Sequence, residues 1–346
     1  MNLKVLVTGG AGYIGSHTIV ELLLEGHEVV CLDNFCNSSP RAIDRIIKIC
    51  ESKGLVDAPL KLIEGDILNE NLLKEIFSNH RINSVIHFAG LKAVGQSGEK
   101  PIEYYKNNVE GSIKLFRAMS EAEVFKIAFS SSATVYGEPE KLPICEKQPT
   151  QEPTNPYGKT KLMIENILQD IASSDDRWHI ALLRYFNPVG AHSSGLIGES
   201  PNSIPNNLVP YISQIAVGNL AKLQIFGRDY QTKDGTGVRD YIHVVDLAKG
   251  HLKSLQILEQ KNGTHIWNLG TGQGYSVLEI IGAFEKASQK SIPYEFVERR
   301  QGDIASCWAD PSKAKIELDW KAELNLDEMM KDTWRWQNQN PNGYID

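Results

Sequence analysis

Lys4-Val5-Leu6-Val7-Thr8-Gly9-Gly10-Ala11-Gly12-Tyr13-Ile14-Gly15 is the stretch whose reading decides the fold. An apolar run with strand character passes into glycines at 9, 12 and 15 and then into a helical pattern. Glycines at those places allow a tight turn, close approach of the backbone to a diphosphate, and close packing of helix on strand. The helix start then offers free N–H groups and its positive dipole end to the anion. A glycine motif by itself is a weak signal; strand, turn and helix in immediate succession make it a dinucleotide-binding loop. Gly9, Gly12, Tyr13, Ile14 and Gly15 are therefore cofactor candidates. Asp33 ends the next strand, about twenty residues on, where a carboxylate accepts hydrogen bonds from ribose hydroxyls and repels a 2′-phosphate. That favours NAD over NADP. Asp66 ends the third strand and is a candidate for the adenine side.

Working outward, short β-rich runs alternate with helical patterns through the first half. Strands are expected at Lys4–Thr8, Glu28–Leu32, Lys61–Glu64, Ser84–His87, Lys126–Ser130 and Ile180–Tyr185. Helices are expected between them, among others at Gly12–Glu25, Pro101–Glu121 and Pro156–Ala172. Such alternation specifies an α/β fold, a doubly wound parallel (Rossmann) sheet with helices on both faces. After Phe186 the regularity breaks into Gly-, Pro-, Ser- and Asn-rich segments at Asn187–Val209 and Gly227–Arg239. Loops this long in a compact chain point to function. A helix at Val244–Leu258 and a strand at His265–Leu269 should return to the large sheet. The chain should thus form an NAD-binding lobe from residues 1–186 plus about 240–273. A smaller mixed α/β substrate lobe takes about 187–239 plus 274–346, interleaved with it.

Bulk properties narrow the function classes. The chain has 346 residues, 41% hydrophobic and 23% charged, with a formal net charge of -7. That disfavours nucleic acid or an anionic membrane as the main partner. Five cysteines form no Cys-x-x-Cys pair, and neither they nor the nine histidines cluster at ligand spacing, so no metal is expected. No apolar stretch is long enough to span a bilayer, and no basic-then-apolar leader precedes the first strand. A cytoplasmic protein with reduced thiols is expected.

The chemistry concentrates in Asn155-Pro156-Tyr157-Gly158-Lys159-Thr160-Lys161. Asn155 and Pro156 should cap and start a helix, on which Tyr157 and Lys161 lie one turn apart on one face. A phenol beside an ammonium is a general acid/base whose proton the neighbouring charge can loosen. Bringing an ordinary tyrosine from pH 10 to neutrality takes roughly 4 kcal/mol. Ser132, just past a strand end in Ser130-Ser131-Ser132, would hydrogen-bond a substrate oxygen. Tyr-x-x-x-Lys is common by chance; with the glycine loop and the serine in the same chain it specifies an oxidoreductase-type site.

Further runs sharpen this. They are His87-Phe88-Ala89-Gly90-Leu91-Lys92-Ala93-Val94, Ser130-Ser131-Ser132-Ala133-Thr134-Val135-Tyr136-Gly137 and Leu183-Arg184-Tyr185-Phe186-Asn187-Pro188-Val189-Gly190-Ala191. Ile204-Pro205-Asn206-Asn207-Leu208 and Asp234-Gly235-Thr236-Gly237-Val238-Arg239-Asp240-Tyr241-Ile242-His243 complete the set. With them the chain resembles, nearly end to end, the UDP-glucose 4-epimerase family of the extended short-chain dehydrogenase/reductase superfamily. The resemblance implies a tightly held NAD reduced and reoxidised within each turnover, a UDP-hexose substrate, a 4-keto sugar intermediate that turns over, and a homodimer joined through the helices Pro101–Glu121 and Pro156–Ala172. It implies that Asp33, Asn34, Asn37 and Ser38 meet the adenosine ribose, and Asp66 and Ile67 the adenine. Phe88, Ala89, Gly90, Lys92 and Tyr185 would line the nicotinamide half, with Asn107 nearby. On the substrate side Lys92, Phe186, Asn187, Asn207 and Leu208 would hold the sugar diphosphate and Arg239 and Arg300 the phosphates. Gln224, Ile225 and Phe226 would frame the uracil, and Asp303 the ribose.

Relatives carry either tyrosine or a small residue where this chain has Cys307. The thiol leaves more room in the sugar pocket, so UDP-GlcNAc and UDP-GalNAc are expected as further substrates. A nucleotide-sugar 4,6-dehydratase shares the loop and the Tyr/Lys pair but needs an Asp-Glu pair where this chain has Ala133 and Thr134. A uronate 4-epimerase or decarboxylase needs groups for the substrate carboxylate, and the run Phe186–Ala191 suits a neutral sugar better. An inactive NAD-sensing or scaffold protein would tend to lose Tyr157 or Lys161.

Overall fold

In the computed structural model, which describes residues 2–202, 204–300 and 302–344, the cofactor motif sits in a seven-stranded parallel sheet. The chain first lays down β1 (Lys4–Thr8), β2 (Glu28–Asp33), β3 (Leu60–Glu64), β4 (Ser84–His87), β5 (Lys126–Ser132) and β6 (His179–Tyr185). It then leaves the sheet to make β7 (Asn187–Val189), β8 (Leu223–Phe226) and β9 (Val238–His243). It returns as β10 (Gly263–Leu269) and leaves again for β11 (Gly274–Ser276), β12 (Tyr294–Val297) and β13 (Ser306–Cys307). The order across the large sheet is β10-β6-β5-β4-β1-β2-β3. The order reverses between β1 and β4, which opens a crevice at the carboxyl ends of those strands. The glycine loop lies there.

Because every connection in a parallel sheet crosses over it, both faces are covered and the strands are apolar on both sides. On one face Val5, Val7, Val29, Cys31, Ile86 and Ala128 pack with Ile19, Leu22 and Leu23 of the helix Tyr13–Leu24 and with Leu247 and Leu255 of the helix Val244–Leu258. On the other, Leu6, Val30, Val85, Ile127 and Phe129 pack with Leu115 and Met119, and with Ile164 and Leu168 of the helix Pro156–Ser174. The smaller lobe has its own core, in which Ile212, Ile225, Tyr241, Ile280, Phe284 and Met330 meet. Its strands are short: β9 is flanked by β11 and β13 and also pairs β7, while β8 and β12 form a separate ribbon.

The expected helix Pro101–Glu121 is not continuous. An α-helical turn, Pro101–Tyr104, passes through π-helical Tyr105–Glu110 into the α-helix Gly111–Glu121. The cause is visible at buried Asn108. Its side chain accepts from Leu91 N at 2.8 Å and donates to Leu91 O at 3.0 Å and Thr160 Oγ1 at 3.0 Å. Fixing that amide against a neighbouring loop shifts the ladder by one residue; π-turns of this kind gather at functional sites.

Candidate active site

The cofactor loop is shaped by contacts that only glycine permits. Gly9 has φ +70°, and a Cβ there would lie 2.7 Å from Ala89 N. A Cβ on Gly15 would lie 2.4 Å from Gly9 O. Gly12 starts the helix Tyr13–Leu24 with no side-chain cap, so the helix end presents bare N–H groups. Asp33, 7% exposed at the tip of β2, accepts from Ala11 N at 2.9 Å, Phe35 N at 2.9 Å and Ser38 Oγ at 2.7 Å. A backbone cradle without Cβ atoms, an uncapped helix start and a carboxylate beside them fit a dinucleotide with an unsubstituted 2′-hydroxyl.

Around that cradle, Asn34 donates to Asp66 at 2.8 Å, and Leu68 N caps the same carboxylate at 2.8 Å. Asn37 accepts from Asn202 N at 3.2 Å, which ties the adenosine-side loop to a segment of the smaller lobe. Lys92 pairs with Glu199 at 2.8 Å across the same divide, and the Tyr13 hydroxyl donates to Gly190 O at 2.7 Å. Ile14 is half-buried against the first core. Ile67 is 4% exposed and its side chain packs where Gly111 leaves room. Phe88 and Ala89 lie half-buried past β4, with the Phe88 ring 4.7 Å from that of His251; Gly90 is exposed beside them. Asn107 donates to Asn108 at 2.9 Å.

At the ends of β5 and β6, Ser132 and Tyr185 are register partners. The helix Pro156–Ser174 starts as its sequence demands, with Asn155 accepting from Gly158 N at 2.9 Å and Pro156 in the first turn. It brings Tyr157 and Lys161 to the same edge. Lys161 is 5% exposed and donates to Ser130 O at 2.6 Å, its Nζ 5.9 Å from the Tyr157 ring centre. Burial pushes the Tyr157 phenol up to about 12, with a Ser132 hydrogen bond pulling it partly back. Burial also pushes the Lys161 ammonium down to about 8, against the pull of Glu165. The loosening expected from Lys161 together with a cationic nicotinamide ring has this burial to overcome. Reaching neutrality from 12 takes roughly 7 kcal/mol, well beyond one charged hydrogen bond of about 1.5–3 kcal/mol. Tyr185 is 8% exposed, its hydroxyl bonded to Ser130 and its ionisation pushed upward by burial.

The substrate candidates line the smaller lobe. Phe186 and Cys307 are buried in one cluster with Ala133, Val135, Tyr136 and Ala309, and burial pushes the Cys307 thiol up to about 11. Asn187 is in β7 opposite Tyr241, and Asn207 starts the helix Leu208–Ala216 without spending its side chain on a cap. Leu208 is half-buried at that helix start. Arg239 lies 3.6 Å from Asp303, and the Arg300 guanidinium stacks 3.8 Å over the Phe226 ring. Gln224 is exposed, but Ile225 is 2% exposed with its side chain in the lobe's core, so only its backbone remains to frame a base. Sequence reasoning missed Asn108, described above, and Asp240. That buried carboxylate accepts from Thr271 N at 2.9 Å, Gly272 N at 3.0 Å and Ala309 N at 3.1 Å, binding β9 to the turn after β10 and to the strand-end that carries Cys307. An Asp inside a β-branched and aromatic run is the signal that could have found it.

Residues 6–333 match the GDP-mannose 4,6-dehydratase family. The chain is 60% identical to the UDP-glucose 4-epimerase of Haemophilus influenzae over 99% of its own length and 100% of that protein's. It is 59% identical to that of Pasteurella multocida, with 99% and 100% covered. The crystal structure of the UDP-glucose 4-epimerase from Bifidobacterium longum, in complex with NAD+ and UDP, superposes with a TM-score of 0.94 at 55% identity, covering 98% of this chain and 99% of that one. The two relatives named, matched over their full length, are both UDP-glucose 4-epimerases. The chain belongs to the UDP-glucose 4-epimerase family, within the extended short-chain dehydrogenase/reductase superfamily.

Proposed function

We propose that the protein interconverts UDP-glucose and UDP-galactose at C4, with Tyr157, Lys161 and Ser132 as its reacting groups. The observation that carries the assignment of residues is the gathering of these three side chains at the carboxyl edge of β5 and β6, beside the glycine cradle. Bound NAD accepts the C4 hydride, returns it, and while oxidised adds a positive charge to the site. Tyr157 takes the proton of the 4-hydroxyl and gives it back, Ser132 holds the same oxygen, and Lys161 keeps the phenolate within reach of neutrality. The 4-keto sugar turns its other face between the two transfers. Arg239, Arg300, Asn187 and Asn207 anchor the UDP so that the hexose stays free to turn. Residues 1–186 with about 240–273 serve the cofactor. The remainder, about 187–239 with 274–346, serves the nucleotide sugar.

The wall formed by Cys307 and Phe186 lacks a bulky phenol and admits a 2-acetamido group, so UDP-GlcNAc and UDP-GalNAc are substrates as well. The protein works as a homodimer in the cytoplasm. Ile102 (80% exposed) and Met163 (44%), on the helical segments Pro101–Tyr104 and Pro156–Ser174, support the first statement. The five unpaired cysteines support the second.

The test is turnover of purified protein on UDP-galactose and, separately, UDP-GalNAc, with no NAD added. Conversion of both is expected. Conversion of UDP-galactose alone removes the argument from Cys307, as would a Cys307→Tyr enzyme with an unchanged ratio of the two activities. No conversion of either, even with NAD supplied, overturns the assignment.

A further inference from the structure

Where the apolar layer between the helix Pro156–Ser174 and the sheet reaches the carboxyl edge, it ends in a buried ion pair. The side chains facing that layer run Ile127, Phe129, Ser131 along β5 and Ile180, Leu182, Arg184 along β6. The helix answers with Leu168, Ile164 and Glu165. The Glu165 and Arg184 side chains are 0% and 3% exposed. The guanidinium grips the carboxylate in a fork, Nε to Oε1 at 2.9 Å and Nη2 to Oε2 at 2.6 Å, and the Ser131 hydroxyl donates to the same Oε1. Arg184 also lies 4.8 Å over the Tyr136 ring, whose hydroxyl donates to Asn268 at 2.7 Å.

A buried pair of this kind is a poor source of stability, since apolar residues of similar volume often do as well or better. Its place suggests another use. Tyr157, Lys161 and Glu165 follow one another at four-residue spacing on one helix face, and the partners of Glu165 sit on the strand ends that carry Ser132 and Tyr185. We propose that Glu165, held by Arg184 and Ser131, is a positioning residue for this site: it locks the Tyr157–Lys161 helix in register with the Ser132 end of β5 and sets a carboxylate one helical turn from Lys161. The ionisable groups around Lys161 allow this. Its own helix offers Tyr157 and Glu165. β4 offers His87, whose ring burial holds neutral, down to about 3. β6 offers Arg184, occupied by Glu165, and Tyr185, occupied by Ser130. β5 offers the Ser130 carbonyl and the Phe129 ring, 4.9 Å from Nζ. The neighbouring helical turn offers Tyr104, its hydroxyl bonded to Ala93 O and Gln96. Of these groups Glu165 carries the negative charge, one helical turn from Lys161, and that charge pulls against the effect of burial on the ammonium.

The proposal rests on the role given to Lys161 above, and the experiment separates the two. kcat and KM for UDP-galactose are measured from about pH 6 to about pH 10 for the wild type, Glu165→Gln, Glu165→Asp and Lys161→Met. Glu165→Gln should lower kcat about tenfold with KM within about twofold, and its alkaline limb should move to lower pH, because Lys161 loses its proton sooner. Glu165→Asp keeps the charge and should leave the limb in place while recovering part of kcat. A Glu165→Gln enzyme with kcat within about twofold of wild type, or with kcat lowered and the limb unmoved, overturns the proposal. If Glu165→Gln does not fold, Glu165→Asp decides: lowered kcat with the limb in place supports the proposal, and wild-type kcat overturns it. Full turnover by Lys161→Met would instead show that the role of Lys161 itself is wrong.

Discussion

At the cofactor end of the cleft, Gly9, Gly12 and Gly15 follow one another in a single loop, and Asp33 is bonded to that same loop through Ala11 N. The residues proposed for the sugar end, Asn187, Asn207, Phe226, Arg239, Arg300 and Cys307, come from separate segments, and the side-chain contacts among and beside them run between distant parts of the chain, Arg239 to Asp303 and Arg300 to Phe226. The first end is made of backbone and is specified by what must be missing from it. The second is made of side chains and is specified by long-range packing. Damage at the first should therefore be steric and nearly all-or-none, and damage at the second graded.

The largest effect should come where the ends meet. Tyr157→Phe removes the proton carrier and should cut kcat on UDP-galactose about 10²–10⁴-fold with an unchanged thermal unfolding midpoint; retained turnover would leave the seam without a working group. Next, Gly15→Val places carbon against the Gly9 carbonyl and should yield protein purified without NAD, measured by absorbance and by release on denaturation. If such a variant kept full NAD, the cradle would not be defined by its missing Cβ atoms. Arg300→Met should raise KM for UDP-galactose about tenfold, about 1.4 kcal/mol, with the NAD content unchanged; loss of NAD there would blur the division between the ends.

The last effect is on stability against pH. Burial holds His17 and His87 down to about 3, and His192 and His251 to about 4. Folded values below the ordinary 6.5 mean that the unfolded chain binds more protons in between, so stability is present above 6.5 and is lost as pH falls toward 4 and then 3. The unfolding midpoint of the cofactor-free protein should fall across that window. His87 is bonded to Thr8 and Ser112 and the His251 ring lies 4.7 Å from that of Phe88, while the charge of His243 on β9 helps hold His17 and His192 neutral. A midpoint flat from neutrality to about pH 4 would mean that neither end is closed to water.

The legible part of the fold follows the same division. β1 and β4 have the bounds their apolar runs suggest, and β2 and β6 differ by a residue at one end, because parallel strands buried on both faces are largely continuous apolar words; β3, the half-exposed edge strand, also differs by one residue. β5 runs on to Ser132, since polar serines hide the last rungs of a ladder that pairs with β6. β7, β11 and β13 carry no local signal: each is two or three residues long and exists because β9 lies beside it. The same holds in the site. Gly9, Asp33, Tyr157 and Lys161 can be read from their neighbours in the chain. The burial of Ile67 and Ile225, the π-turn around Asn108 and the hub at Asp240 depend on residues far away in sequence. Glu165 and Arg184 left a trace, a charge at the end of each apolar stripe, that means something only once the stripes are seen to face each other.

The return of the chain to the large sheet as β10, after β7 to β9 have been built elsewhere, bears on how such a protein can diversify. Neither lobe is a contiguous piece of sequence. A single crossover between two relatives would carry part of one lobe along with part of the other, and the ties between Asn37 and Asn202 and between Lys92 and Glu199 would join mismatched parents. New sugar preferences in this architecture are therefore easier to reach by point changes, such as the one proposed at residue 307, than by exchange of whole modules.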